Sequence, residues 1–305
     1  MNKQDRKILL VGDNPFQGVS HLTQERERTR SELITHADYA ANLVSLSIDN
    51  GADGFMFSLD ENTVSILKII REKRQDLSMR LYPTVPSAYE YVRLSSQSGT
   101  VGLMMHVAKQ VVISGDFKAM AFGVQGVVKT DPTVLLKAYL NYELSRMKPL
   151  TNSRIHVHSL LLHEIVTDMA LALNWDWLFQ TYVKYLSKLG IKPGFETRNF
   201  CYLLKKLQEW NIDPGEVVIA TPFNKIGFQM TPSRVECERV LTTIPKSEVI
   251  GFSILASGYL KLPEASAYIR NVPELYGVAI GVSSENQARE TFEFFKVGAT
   301  SLKCE

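Results

Sequence analysis

The chain alternates between short apolar runs and longer stretches whose apolar residues recur at helical spacing. The clearest example is the last quarter, where 248–258 (EVIGFSILASG) and 276–284 (YGVAIGVSS) are each followed by a helical pattern. An apolar run closed by Gly and Ser, with no polar alternation, predicts a parallel strand buried on both faces. Upstream, the same reading gives strands at 7–14 (KILLVGDN), 54–60 (GFMFSLD), 79–86 (MRLYPTVP), 155–162 (IHVHSLLL), 192–197 (KPGFET) and 216–223 (EVVIATPF). Pro83 and Pro86 weaken the third of these, because proline cannot donate to a sheet ladder.

Helices are expected at 36–50, 62–75, 163–189 (one long or two short, joined near Trp175 and Trp177), 199–210 and 232–241. Residues 87–153 break the rhythm with about three helical patterns and no clear strand. Within them, 101–114 is apolar nearly all round, and Asp131-Pro132 is an N-cap followed by proline at the first helical position. The expected architecture is one α/β domain over 1–305, a (β/α)8 TIM barrel with a helical insertion after strand 3. An open doubly wound sheet would carry a Gly-rich fingerprint after its first strand, and GDNPFQG lacks the GxGxxG order.

Composition changes this picture little. The 305 residues have 45% hydrophobic content and a formal charge of +2, which gives no footprint for nucleic acid. No apolar segment reaches membrane-spanning length and the amino-terminal residues are too polar for a secretory signal, so a cytoplasmic location is expected. Cys201, Cys237 and Cys304 show neither a pairing pattern nor metal spacing and suit a reducing compartment.

In a barrel of this kind the chemistry lies at the carboxyl ends of the strands. The candidates there are Asp13, Asn14, Ser58, Asp60, Thr84, His158, His163, Glu196, Arg198, Thr221, Asn224, Ser253, Ser257, Gly258, Ser283 and Ser284. Glu196 is the expected general acid or base, since a carboxylate in a barrel mouth is costly unless it is paired or reactive; its alternative is a salt bridge to Arg198. Asp13 is either a second catalytic carboxylate or a turn residue before Asn14-Pro15. His158 is placed as an assistant to Glu196, as a ligand of a divalent metal shared with Glu196 and Asp13, or as a hydrogen-bonded histidine of the barrel wall. Ser257, Gly258, Ser283 and Ser284 are expected to hold an anion, because the last two loops of such barrels often bind phosphate. Ser284-Glu-Asn-Gln287 also has the form of a capping box, which explains those residues without a ligand.

VVIATPFN, IGFSILASGYL and GVAIGVSSENQARETFEFF together resemble the last three βα units of the aldo-keto reductase superfamily. Gln287, Glu290 and Thr291 are similar to that family's Arg/Gln-x-x-Glu-Asn signature. The resemblance implies a barrel with NADP at the last two loops. It also implies an Asp-Tyr-Lys-His tetrad, for which Asp60 and His158 or His163 stand in place, whereas Ser65 stands where Tyr is expected and no Lys ends strand three.

Three functions follow as expectations. The first is an enzyme acting on a small anionic, phosphorylated molecule by isomerase, lyase or aldolase chemistry. The second is a divergent aldo-keto-reductase-like oxidoreductase using NADP. The third is a barrel retained for binding or assembly, with homo-oligomer contacts through 87–153.

Overall fold

A computed structural model describes residues 6–17, 36–87 and 131–297. Among the described residues nine strands run parallel: β1 (Ile8–Gly12), β2 (Gly54–Ser58), β3 (Met79–Val85), β4 (Ile155–Val157), β5 (Ser159–Leu162), β6 (Lys192–Glu196), β7 (Val218–Pro222), β8 (Glu248–Phe252) and β9 (Gly277–Gly281). β1 pairs with both β2 and β9, and β2 with β3, so the sheet closes on itself. β4 and β5 follow one another along the edge of β3 and share one place in the ring. The result is a closed eight-position parallel barrel, the α/β TIM-barrel architecture expected from the alternation of patterns.

Side-chain alternation sorts each strand into an inner and an outer set. Ile8, Leu10, Met56, Tyr82, Leu161, Val218, Ala220, Ile250 and Ala279 pack together inside the barrel. Leu9, Val11, Phe55, Phe57, Leu160, Leu162, Phe195, Ile219, Val249, Val278 and Ile280 point outward into the larger core under the helices. Those helices are α1 (Ala37–Asp49), α2 (Glu61–Lys73), α3 (Pro132–Met147), α4 (Glu164–Ala172), α5 (Asp176–Lys188), α6 (Phe200–Glu209), α7 (Arg234–Leu241), α8 (Leu262–Arg270) and α9 (Glu285–Val297). The joint between α4 and α5 falls at Asn174, whose φ of 54° interrupts the helix just before Trp175.

Three strand expectations are corrected. β3 is a full seven-residue strand despite Pro83. Its neighbour explains why: Leu81 pairs with Val157 and Thr84 with Leu161, three residues against four. The extra residue makes a bulge at His158, so the ladder is already interrupted where Pro83 lacks an N–H. The strand read as 155–162 is correspondingly two pieces. β8 stops at Phe252 rather than continuing to Gly258, because Ser253 turns into the left-handed region with φ of 52°.

The amino-terminal cap of α3 is as expected, with Asp131 accepting from the Thr133 amide and Pro132 opening the helix. α3 packs against α5, and the single turn Lys148–Leu150 that follows it packs against α2. The apolar stretch 101–114, with Gly18 and Cys304, lies outside the described residues. Among the described residues no helix is long and apolar enough to cross a membrane.

Candidate active site at the barrel mouth

The last residue of β6 is Glu196. Phe195 beside it is locked outward against Phe179 and Tyr182, with ring centroids 4.9 and 5.5 Å away. Alternation therefore turns Glu196 inward, at the carboxyl end of the barrel. Part of its surface stays open to the mouth, and protein encloses the rest. Burial, then the nearby charges of Glu164 and Asp13, pushes its carboxyl up to about 8. Among the described residues no hydrogen bond engages it, so its proton is free to meet a ligand.

Asp13 follows β1 directly and is buried. Its Oδ2 accepts from the Ser58 amide at 2.7 Å and from Gln17 Nε2 at 3.3 Å. Burial outweighs these bonds, and its carboxyl is raised to about 6. Asp13 follows β1 and Glu196 ends β6, so both lie at the carboxyl end of the barrel, and the Asp13 charge helps to raise the Glu196 carboxyl. The neighbouring 3₁₀ turn Asn14–Gln17 carries Gln17, whose amide bridges Asp13 and Asp60 by donating 2.6 Å to Asp60 Oδ2.

The rim beside Glu196 is braced from α4. Glu164 forms a two-pronged pair with Arg198, with both N···O distances 2.8 Å. Asp168 accepts from the Thr197 hydroxyl and, at 3.2 Å, from the Arg198 amide. Thr197 in turn accepts from the Asn199 amide at 2.9 Å. These bonds fix the 197–199 turn and with it the end of β6. Arg198 is thus paired with Glu164, and the salt bridge to Glu196 considered from the sequence does not form. Glu164, Asp168 and Gln17 escaped the sequence reading because they lie in helices and turns, where polar residues are ordinary; Glu164 and Asp168 share a face of α4 at i, i+4, the one signal available.

The remaining candidates divide. His163 follows β5 and caps α4, its Nδ1 accepting from the Ile165 amide at 3.2 Å, and burial holds its imidazole below the usual value. Asp60 caps α2 in a reciprocal box with Thr63. Ser65 donates to the Glu61 carbonyl on the helix surface and is not at the mouth. Thr84 and Thr221 are buried at their strand ends. Asn224 is also buried and closes its loop, accepting from the Phe228 amide at 2.7 Å and donating to the Phe228 carbonyl at 2.8 Å.

His158 is corrected in position. The bulge turns it into the lower barrel, where its ring lies tilted against Tyr82, centroids 5.1 Å apart, and meets Glu248 Oε2 at 2.9 Å. Glu248 is the first residue of β8, so this contact lies at the amino ends of the strands, opposite the mouth. Lys192, the first residue of β6, shares the same carboxylate at 2.9 Å. His158 neither assists Glu196 nor completes a metal site with it. Among the described residues no group of three or more His, Cys, Asp or Glu is placed to hold a metal ion.

The loops after β8 and β9 reach the same rim as Glu196. Ala256, Ser257 and Gly258 all have positive φ, at 45°, 57° and 85°, forming a tight left-handed turn. Ser284 Oγ accepts from the Gln287 amide at 3.3 Å, and Gln287 Oε1 takes the Ser283 amide and hydroxyl, each at 2.9 Å. Glu285 is exposed beside them and accepts from Asn42 at 2.9 Å. Ser283, Ser284 and Gln287 therefore satisfy one another in a helix cap.

No family model matches this chain, and no curated protein matches it. Two solved structures from Pseudomonas aeruginosa, each named "putative aldo-keto reductase", are similar to it with a TM-score of 0.58. They are 12% and 13% identical, and each match covers 96% of this chain and 90% of the other. At that identity the likeness shows the fold, an aldo-keto-reductase-like (β/α)8 barrel.

Proposed function

We propose that this barrel is an enzyme that transfers protons with Glu196 and Asp13 on a small, uncharged polar molecule. One observation carries the reading: Glu196 faces the mouth without a hydrogen bond among the described residues and keeps its proton up to about pH 8. A carboxylic acid protonated at neutral pH is a general acid, and Asp13, with its lower value of about 6, is the matching base. Because the two charges interact, the pair titrates together.

Charge at the rim directs the choice of substrate away from the phosphorylated anion expected earlier. Asp13, Asp60, Glu164, Asp168 and Glu196 gather there, and Arg198, a cation in contact with them, is bound to Glu164. Even with Glu196 protonated, a phosphate approaching this rim meets the carboxylates around it, whereas a carbonyl or hydroxyl compound meets no such repulsion.

The test is exchange of solvent deuterium into a panel of small carbonyl and hydroxy compounds, followed by NMR. Wash-in with the parent protein that is lost in Glu196→Gln and Asp13→Asn supports the reading. A Glu196 carboxyl titrating near 4.5, together with no exchange, overturns it.

A second reading has the fold likeness in its favour: an oxidoreductase of the aldo-keto-reductase kind, with Glu196 as the acid where Tyr is missing. Titration of intrinsic fluorescence with NADPH separates the two. Saturable quenching at micromolar cofactor favours the second, and none at millimolar cofactor removes it.

A further inference from the structure

Outside the mouth, two sulfur atoms lie against each other between neighbouring outer helices. Cys201 is the second residue of α6 and Cys237 the fourth residue of α7, and their Sγ atoms are 3.8 Å apart. Both are free thiols; Cys237 is buried and Cys201 half-exposed. Cys201 opens onto a surface groove of about 1110 Å³, shared with Tyr202, Thr231, Glu236 and Arg239. An oxidant therefore has a route to one sulfur, and the other waits at contact distance behind it.

We propose that Cys201 and Cys237 are a redox-modifiable dithiol that closes to an intramolecular disulfide on reaction with a small disulfide oxidant such as oxidised glutathione. A bond of about 2.05 Å needs the two sulfurs to approach by less than 2 Å, within reach of side-chain rotation and a small helix adjustment.

The order of events follows from the surroundings. Cys201 lies in the first turn of α6, where the helix amides favour a thiolate. Its contact with Cys237, and more weakly the Arg239 guanidinium, holds its pKa below the usual thiol value, while Glu236 opposes. Cys237 keeps its proton, raised by that same contact and by burial, and donates to the Thr231 carbonyl at 3.5 Å. Cys201 thiolate attacks one sulfur of glutathione disulfide and forms a mixed disulfide, releasing one glutathione thiolate. That thiolate or water takes the Cys237 proton. The Cys237 sulfur then attacks Cys201 Sγ and expels the second glutathione. Two protein thiols lose two hydrogens, and one glutathione disulfide becomes two glutathiones.

The location gives the modification a consequence. Cys201 stands five residues after Glu196 in the chain, just past the 197–199 turn that Asp168 braces. Cys237 lies near the start of the helix that follows β7. A disulfide ties these two helix beginnings together, and through them two adjacent loops of the mouth. The modification is independent of the acid–base reading and is tested without reference to activity.

Reduced protein is incubated with oxidised glutathione, quenched with an alkylating agent and mapped by mass spectrometry after digestion. The expected result is a peptide pair joining Cys201 to Cys237, two hydrogens lighter than the reduced pair and reversed by dithiothreitol. Cys237→Ser is expected to trap glutathione on Cys201, and Cys201→Ser to leave Cys237 alkylated or untouched. Cys237→Ala serves if the buried serine destabilises the fold. The proposal is overturned if the parent protein accumulates the Cys201–glutathione adduct without closing. It is equally overturned if both cysteines stay reduced, or if the bond formed is to Cys304.

Discussion

At the scale of a single residue the proposed chemistry rests on Glu196, and its proton has a measurable signature. The folded protein holds that proton up to about 8, against 4.5 for an ordinary glutamate. Between these values the native state binds a proton that the unfolded chain does not, so stability falls as pH rises across the window. The contribution is fully present below 4.5 and lost above about 8. Glu196→Gln removes the cost of ionisation and is expected to melt higher than the parent at pH 9, by about 2–5 °C in a thermal scan. The same substitution is expected to lower turnover by about 100-fold or more, the usual share of a general acid. For the parent, kcat/KM is expected to follow a bell with limbs near 6 and 8, the values to which Asp13 and Glu196 are raised. Asp13→Asn should lose activity across the whole profile and, by removing a like charge, lower the pH at which the Glu196 carboxyl ionises, read by NMR titration.

Elements place these residues, and two devices do most of the placing. The first is the bulge at His158, which inserts a histidine into the lower barrel beside Glu248 and Lys192. Burial alone raises the Glu248 carboxyl, but the bonds from His158 and Lys192 outweigh it and hold it below the usual value. Its stabilisation is present at neutral pH and fades as acid protonates it. Glu248→Gln leaves Lys192 without its counter-ion inside the barrel and is expected to cost about 3 kcal/mol by urea denaturation, with no direct contact to the mouth. The second device is the set of glycines where strands approach closely. A Cβ on Gly277 would sit 2.7 Å from the Ile8 carbonyl oxygen and 2.2 Å from Ile8 Cγ1. Gly54 is tighter still, 2.2 Å from the Arg80 carbonyl oxygen. Gly54→Ala and Gly277→Ala must each push two strands apart and are expected to destabilise by about 1–3 kcal/mol.

Across the whole molecule, closure of the sheet is the act that makes a site. Residue 13 and residue 196 lie far apart in the chain and face one opening because β1 pairs with β9 as well as β2. Gly277→Ala strikes the β1–β9 seam, and if closure holds the two carboxyls together it should also move the alkaline limb of the pH profile toward lower pH. A Gly54→Ala variant of equal stability provides the comparison. The order of strands and helices was legible from the sequence because burial imposes it locally: parallel strands buried on two faces need apolar runs, and helices covering them need one apolar stripe. Glu196 at a strand end was legible for the same reason, since a carboxylate after an apolar run stands out. The sequence by itself could not tell that Arg198 pairs with Glu164, that His158 lies at the opposite end from Glu196, or that Ser283 and Ser284 spend their polar groups on Gln287. Nor did the spacing of Cys201 and Cys237 hint at two sulfurs in contact. Each of those facts depends on distances between segments remote in the chain or on the direction of one side chain. Such distances are set by strand register and a one-residue bulge, which leave the local pattern of apolar and polar positions almost unchanged.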